Sequence, residues 1–209
     1  MKKYIVEFIG TFFLVLTIGM AVRYAGVMAP LAIGAVLMVM IYAGGHVSGG
    51  HYNPAVTLGV LIRGKIDMND AIPYRVSQIL GSIVAGLVVS FMGASSSAMP
   101  ISSDMMIPAL LAEVIFTFAL VYVVLNVATT KGTSGNSFYG LAIGCTVLAG
   151  AYAVGSISWG AFNPAVAIGG VLDGTFAAST IWIHIVGDVI GAILAALVFN
   201  YCCSDDQGK

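Results

Sequence analysis

Polar residues interrupt this chain only briefly. Between the interruptions run six apolar stretches: Tyr4–Ala25, Pro30–Gly45, Ala71–Gly93, Pro108–Ala128, Phe138–Gly155 and Ala178–Tyr201. A helix needs about 20 mostly apolar residues to cross the hydrocarbon core of a bilayer. The pattern therefore predicts six membrane-spanning helices. Two further apolar runs, Pro54–Ile62 and Pro164–Leu172, are too short to span. Each opens with the triplet Asn-Pro-Ala, at Asn53-Pro54-Ala55 and at Asn163-Pro164-Ala165, and each follows a glycine- and serine-rich segment. Proline at the first helical position loses no hydrogen bond, because that N–H has no intrahelical partner. Asparagine before it is a good N-cap. Both triplets thus predict the start of a short helix.

The two starts occupy corresponding places in a duplication. VEFIGTFFLVL from Val6 aligns with AEVIFTFALVY from Ala112, pairing Glu7 with Glu113, Thr11 with Thr117 and Leu14 with Leu120. The predicted repeats are residues 1–100 and 101–209 of a single channel-like domain. Each holds three spans and one short helix between its second and third spans. Three is odd, so the second repeat enters the membrane upside down and the short helices approach each other from opposite faces. Inverted repeats with broken helices meeting at the midplane are a transport architecture. The segments ahead of the short helices, Gly44–Tyr52 and Gly155–Phe162, are expected to be non-helical. Such backbone exists at membrane depth only when buried in protein or lining a wet cavity.

Composition supports this reading. The chain is 59% hydrophobic and 8% charged, with mean hydropathy +1.02, whereas a soluble domain carries about 25% charged residues. A net charge of −1 offers nothing for nucleic acid. Lys2, Lys3, Arg63, Lys65, Arg75, Lys131 and Lys209 all fall on one side of a six-span topology, and Arg23 alone on the other. The positive-inside rule makes that side cytoplasmic, with both termini inside. The N-terminal stretch resembles a signal peptide only superficially; it runs on to about Ala25 without a small-residue cleavage site, and a retained span is expected. Cys145, Cys202 and Cys203 have no metal-ligand spacing.

GHVSGGHYNPAVTLG, the second triplet, the paired Glu7 and Glu113, and Gln78-Ile79-Leu80-Gly81 together resemble the aquaporins, the major intrinsic proteins. The resemblance covers nearly the whole chain. It implies an all-α membrane fold of six transmembrane helices plus two half-membrane helices, and a homotetramer in lipid with one pore per protomer, in the plasma membrane. It also implies passage of water and small neutral solutes, with no cofactor, no metal and no catalysis. Asn53 and Asn163, with Pro54, Pro164, Ala55 and Ala165, would form the pore centre. There two positive helix ends oppose cations, a device known in such pores. Glu7, Glu113, His46 and His51 would support the pore loops.

One part of the pattern is broken. Most members carry arginine directly after the second triplet, and here Val166 stands there. The other outer-filter positions map to Ile33, Ala151 and Gly160. A filter of isoleucine, alanine, glycine and valine predicts a wide, apolar constriction without fixed charge. Trp159 and Phe162 are both candidates to fill the space at Gly160, and a one-residue shift would put Tyr152 in place of Ala151. Further on, Ala167 replaces an aspartate usual in glycerol channels, His184-Ile185 replaces an aromatic pair, and Asp188 replaces a proline. Asp188 is expected to cap or kink the last helix.

The rival class is an ion-coupled secondary transporter of a small solute. Inverted repeats suit it, and Glu7 and Glu113 are ionisable groups inside spans, which are functional candidates. An intramembrane enzyme finds no support in the spacing of serine, histidine or aspartate.

Overall fold

A computed structural model describes residues 1–94, 97, 98 and 100–203. Among these residues all the regular structure is helical, with eight α-helices: α1 (Lys2–Tyr24), α2 (Ala29–Ser48), α3 (Pro54–Ile62), α4 (Met68–Phe91), α5 (Met106–Thr129), α6 (Tyr139–Ser158), α7 (Pro164–Asp173) and α8 (Ile181–Cys202). Six are long and apolar enough to cross a membrane, and α3 and α7 are the two short ones. The order long, long, short, long occurs twice. Lys209, used above for orientation, lies outside the described residues.

The pre-triplet segments are less irregular than expected. Helix α2 runs on through 44–48 and α6 through 155–158. Only about five residues remain non-helical before each short helix. The stop is a left-handed residue in both cases: Gly49 at φ +89° and Trp159 at φ +70° cap the two helices. Glycine takes that conformation freely, whereas a tryptophan there costs about 1–2 kcal/mol.

Glycine also sets how close the long helices come. A Cβ added at Gly81 would fall 2.5 Å from the carbonyl oxygen of Phe8, and one at Gly191 2.5 Å from that of Val114. Gly34 and Gly144 do the same for α2 against α6, where the added Cβ would meet the opposing carbonyl at 2.7 and 2.5 Å. In a bilayer, helix association depends on close packing of this kind rather than on the hydrophobic effect. Helix α1 packs on α4 and α5 on α8, while α2 on α6 joins the two halves. Large apolar side chains such as Phe13, Leu87, Leu111 and Leu197 stay exposed on the outside. Glu7, Gln78, Glu113, His184 and Asp188 are buried inside. This is the reverse of a soluble protein and suits lipid as the solvent.

Candidate functional site

The short helices α3 and α7 meet at their N-termini. Asn53 caps α3 by accepting from the N–H groups of Ala55 at 2.8 Å and Val56 at 3.4 Å. Asn163 caps α7 by accepting from the Ala165 N–H at 2.9 Å. Each side-chain amide also reaches into the other loop. Asn53 Nδ2 donates to the Phe162 carbonyl at 2.8 Å, and Asn163 Nδ2 donates to the Tyr52 carbonyl at 2.9 Å. A primary amide has two N–H donors, so one on each asparagine remains. Both asparagines line a narrow cavity of about 60 Å³. Pro54 and Pro164 occupy the first helical positions, and Ala55 and Ala165 are buried behind them.

Tyr52 and Phe162, the residues just before the asparagines, have φ of +49° and +47°. For an aromatic residue this is a strained backbone, of order 1–3 kcal/mol each. The two glutamates offset it. Glu7 is fully buried and accepts four hydrogen bonds, from Ser48 Oγ, His51 N, Tyr52 N and Gln78 Nε2, at 2.7 to 3.0 Å. Glu113 accepts from Ser158 Oγ at 2.6 Å, Ala161 N at 3.2 Å and Phe162 N at 2.8 Å. His184 Nδ1 lies 3.3 Å from the same carboxylate, within ion-pair distance but not aligned as a hydrogen bond. Each carboxylate therefore binds the N–H of the strained residue in its own half. Hydrogen bonds to a carboxylate are the stronger kind, about 1.5–3 kcal/mol each.

The two loop histidines behave differently. His51 Nδ1 is 3.1 Å from Thr57 Oγ1, its ring lies against Tyr74, and it lines the cavity. His46 stands exposed in the last turn of α2. It lines a separate, wider opening of about 790 Å³ together with Lys65, Lys131 and Asn136. The continuation of α2 through 44–48 places His46 on the last turn of the helix, just ahead of the loop it is expected to support.

Ile33, Ala151, Gly160 and Val166 all border the same narrow cavity as the asparagines. Tyr152 points elsewhere; it is half exposed and its hydroxyl donates to the Val27 carbonyl. The Phe162 ring comes within 3.2 Å of where a Gly160 Cβ would stand, and Trp159, 51% exposed, borders the same cavity. The Phe162 ring rests on Phe116, with centroids 5.5 Å apart.

Asp188 neither caps nor faces lipid. It is fully buried in mid-α8 and accepts from Thr117 Oγ1 at 2.8 Å. Ser82, its counterpart in the first half, donates to the Ala165 carbonyl. Sequence reasoning missed the contact of His184 with Glu113. A signal was present: the 106-residue spacing that pairs Glu7 with Glu113 also pairs Gln78 with His184 and Ser82 with Asp188. Among the described residues, no group of three metal-binding side chains is assembled.

Six apolar spans surround two half-length helices that meet head to head on a narrow cavity. This arrangement defines the class, a multi-pass membrane channel. The chain belongs to the major intrinsic protein family, whose profile matches residues 1–199. It is 38% identical over 218 residues to glycerol uptake facilitator protein-like 6 of Lactiplantibacillus plantarum, covering 99% of this chain and 100% of that protein. It is 32% identical to aquaporin AqpM of Methanothermobacter thermautotrophicus, with 98% of both chains covered. Aquaporin NIP1-1 of Zea mays is 34% identical over 95% of this chain and 74% of its own length. The fold matches the X-ray structure of the aquaglyceroporin from Plasmodium falciparum with a TM-score of 0.82 at 22% identity, over 99% of this chain and 98% of that one. The family is one of passive channels for water and small solutes, not of enzymes.

Proposed function

We propose that this protein conducts water and small uncharged solutes, with glycerol-sized molecules passing readily relative to water. The observation that carries the reading is the pair of amide N–H groups that Asn53 and Asn163 leave for the cavity after each has bonded the opposite loop. A solute hydroxyl or a water accepts from them at the point where two helix N-termini converge. The positive ends of α3 and α7, each worth about half a charge, oppose cations and hydronium there. Residues 1–100 and 101–209 act as the two inverted repeats that supply one helix end each.

The outer filter is Ile33, Ala151, Gly160 and Val166. Without an arginine it offers neither a fixed charge nor a strong donor, so it selects by size and apolarity. Glycerol, urea, ammonia and hydrogen peroxide fit that description, and the name of the Lactiplantibacillus relative agrees with the first. The functional unit is a homotetramer in the plasma membrane, with both termini cytoplasmic.

Ion-coupled transport by Glu7 and Glu113 is the weaker reading. A coupling carboxylate must exchange partners during a cycle, and Glu7 has each oxygen engaged twice. Stopped-flow light scattering on proteoliposomes tests the proposal. Water and glycerol permeabilities well above bare lipid, with a low activation energy, are expected. Flux with the activation energy of the lipid alone, or accumulation of solute against its gradient, would overturn it.

A further inference from the structure

The outer part of the narrow cavity is walled by two residues outside the four filter positions, Thr175 and Phe176, which follow α7. Phe176 is 3% exposed. Its ring covers Gly170, where an added Cβ would come within 2.2 Å of it. Val166 and Gly170 are four residues apart on α7 and so share one face of that helix. The ring thus lies on the same wall as Val166, one turn further along. On another side it meets the His184 imidazole edge-on, with centroids 4.7 Å apart at 72°. A flat ring held by a helix surface and a second ring has little freedom, and its remaining side borders the cavity.

The backbone carrying Phe176 is tied down by a cation. Arg23, at the end of α1, donates through Nε to the Ala94 carbonyl at 2.8 Å. Through Nη2 it donates to the Asp173 carbonyl and to Thr175 Oγ1, both at 3.3 Å. The Asp173 carboxylate lies 3.9 Å from the guanidinium and accepts the Thr175 N–H at 2.8 Å. Asp173 is 1% exposed. The guanidinium fork joins α1, the end of α4 and the segment after α7, a task suited to its several fixed donors. With Asp173 beside it, Arg23 adds no net charge to the pore mouth.

We propose that Phe176 is a specificity-determining residue of the outer pore, and that Arg23 is the positioning residue that holds it against the cavity. The inference rests on the channel reading above and deepens it. Valine at position 166 leaves room beside α7, and the Phe176 ring sets how much of that room a solute can use. Size selection then depends on an aromatic wall outside the four filter positions. The solutes discriminated are linear polyols of increasing carbon number.

The test is a proteoliposome flux panel of glycerol, erythritol and xylitol. It is scored as the erythritol-to-glycerol ratio, so that the amount of protein cancels. Phe176→Ala is expected to raise the ratio about tenfold, the scale on which an apolar pocket senses a methylene-sized change. Phe176→Trp is expected to lower it. Arg23→Met should shift the ratio in the same direction as the alanine variant, and Arg23→Lys should restore part of the difference. If Phe176→Ala does not fold, Phe176→Leu carries the same expected direction. A purely structural role would lower all fluxes together and leave the ratio alone; that result across the Phe176 variants overturns the inference while the channel reading stands. A wild-type protein that conducts neither water nor glycerol overturns both.

Discussion

Asn53 and Asn163 complete each other's loops. The amide nitrogen of Asn53 bonds the carbonyl of Phe162, directly before Asn163, and the amide nitrogen of Asn163 bonds the carbonyl of Tyr52, directly before Asn53. The bonds run at 2.8 and 2.9 Å. The two asparagines are thereby fixed in distance and rotation, and the orientation of each remaining N–H follows.

Replacing Asn53 by aspartate separates these roles. The carboxylate still accepts from the Ala55 N–H, so α3 keeps its cap. The donor to Phe162 is lost and a negative charge stands where two helix ends converge. Cation leak through Asn53→Asp is expected to rise well above wild type, read as dye-reported proton flux in proteoliposomes. Asn53→Ala is expected to cost about 1–2 kcal/mol of stability through the lost cap, read as a lower melting temperature in detergent.

The glutamates give a stability prediction. Glu113→Gln replaces one acceptor oxygen with an amide that faces the N–H of Phe162 or the group of donors at Ser158 and Ala161. A buried donor left without an acceptor costs about 1–3 kcal/mol. The variant should melt earlier and conduct less, with no change in solute preference. A shift in preference without loss of stability would contradict the loop-bracing role.

Val166→Arg tests the outer filter. A long cationic side chain at this place narrows the cavity and adds a donor. The glycerol-to-water flux ratio should fall by about tenfold, the lower end of what a single methylene does in an apolar site. An unchanged ratio would remove Val166 from the filter.

Gly144→Val tests the seam between the halves. The added Cβ alone would meet the Gly34 carbonyl at 2.5 Å, with Met38 also close. Overpacking of this sort costs about 1–3 kcal/mol. A lower melting temperature with an intact α1–α4 pairing, measured by cysteine cross-linking, is the expected outcome.

Much of this was legible in the chain. Six apolar runs placed the long helices to within a few residues, and the Asn-Pro-Ala triplets placed the short ones, because caps and N1 prolines are local signals. Filter positions counted from Asn53 and Asn163 all reached the cavity. What local signals could not supply was tertiary. Nothing in an aromatic residue predicts the positive φ of Tyr52 and Phe162; the buried glutamates impose it from another helix. The extension of α2 past Gly45 was hidden because glycine-rich stretches read as irregular, although tertiary packing favoured helix there. Phe176 carries no motif and is placed by Gly170 and His184. The repeat itself held unused information. The spacing that pairs the two glutamates also pairs Gly10, which makes room for Tyr52, with Phe116, whose ring packs tilted against Phe162.

The carbonyl-to-glycine contacts at Gly34, Gly81, Gly144 and Gly191 have a thermal consequence. Helix seams spaced by main chain against main chain have no side-chain rotamers to wait for. If the channel reading holds, the helices that carry the cavity are expected to keep their spacing, and water to cross without breathing of the protein. Throughput in such a conduit changes with temperature about as gently as the viscosity of water does.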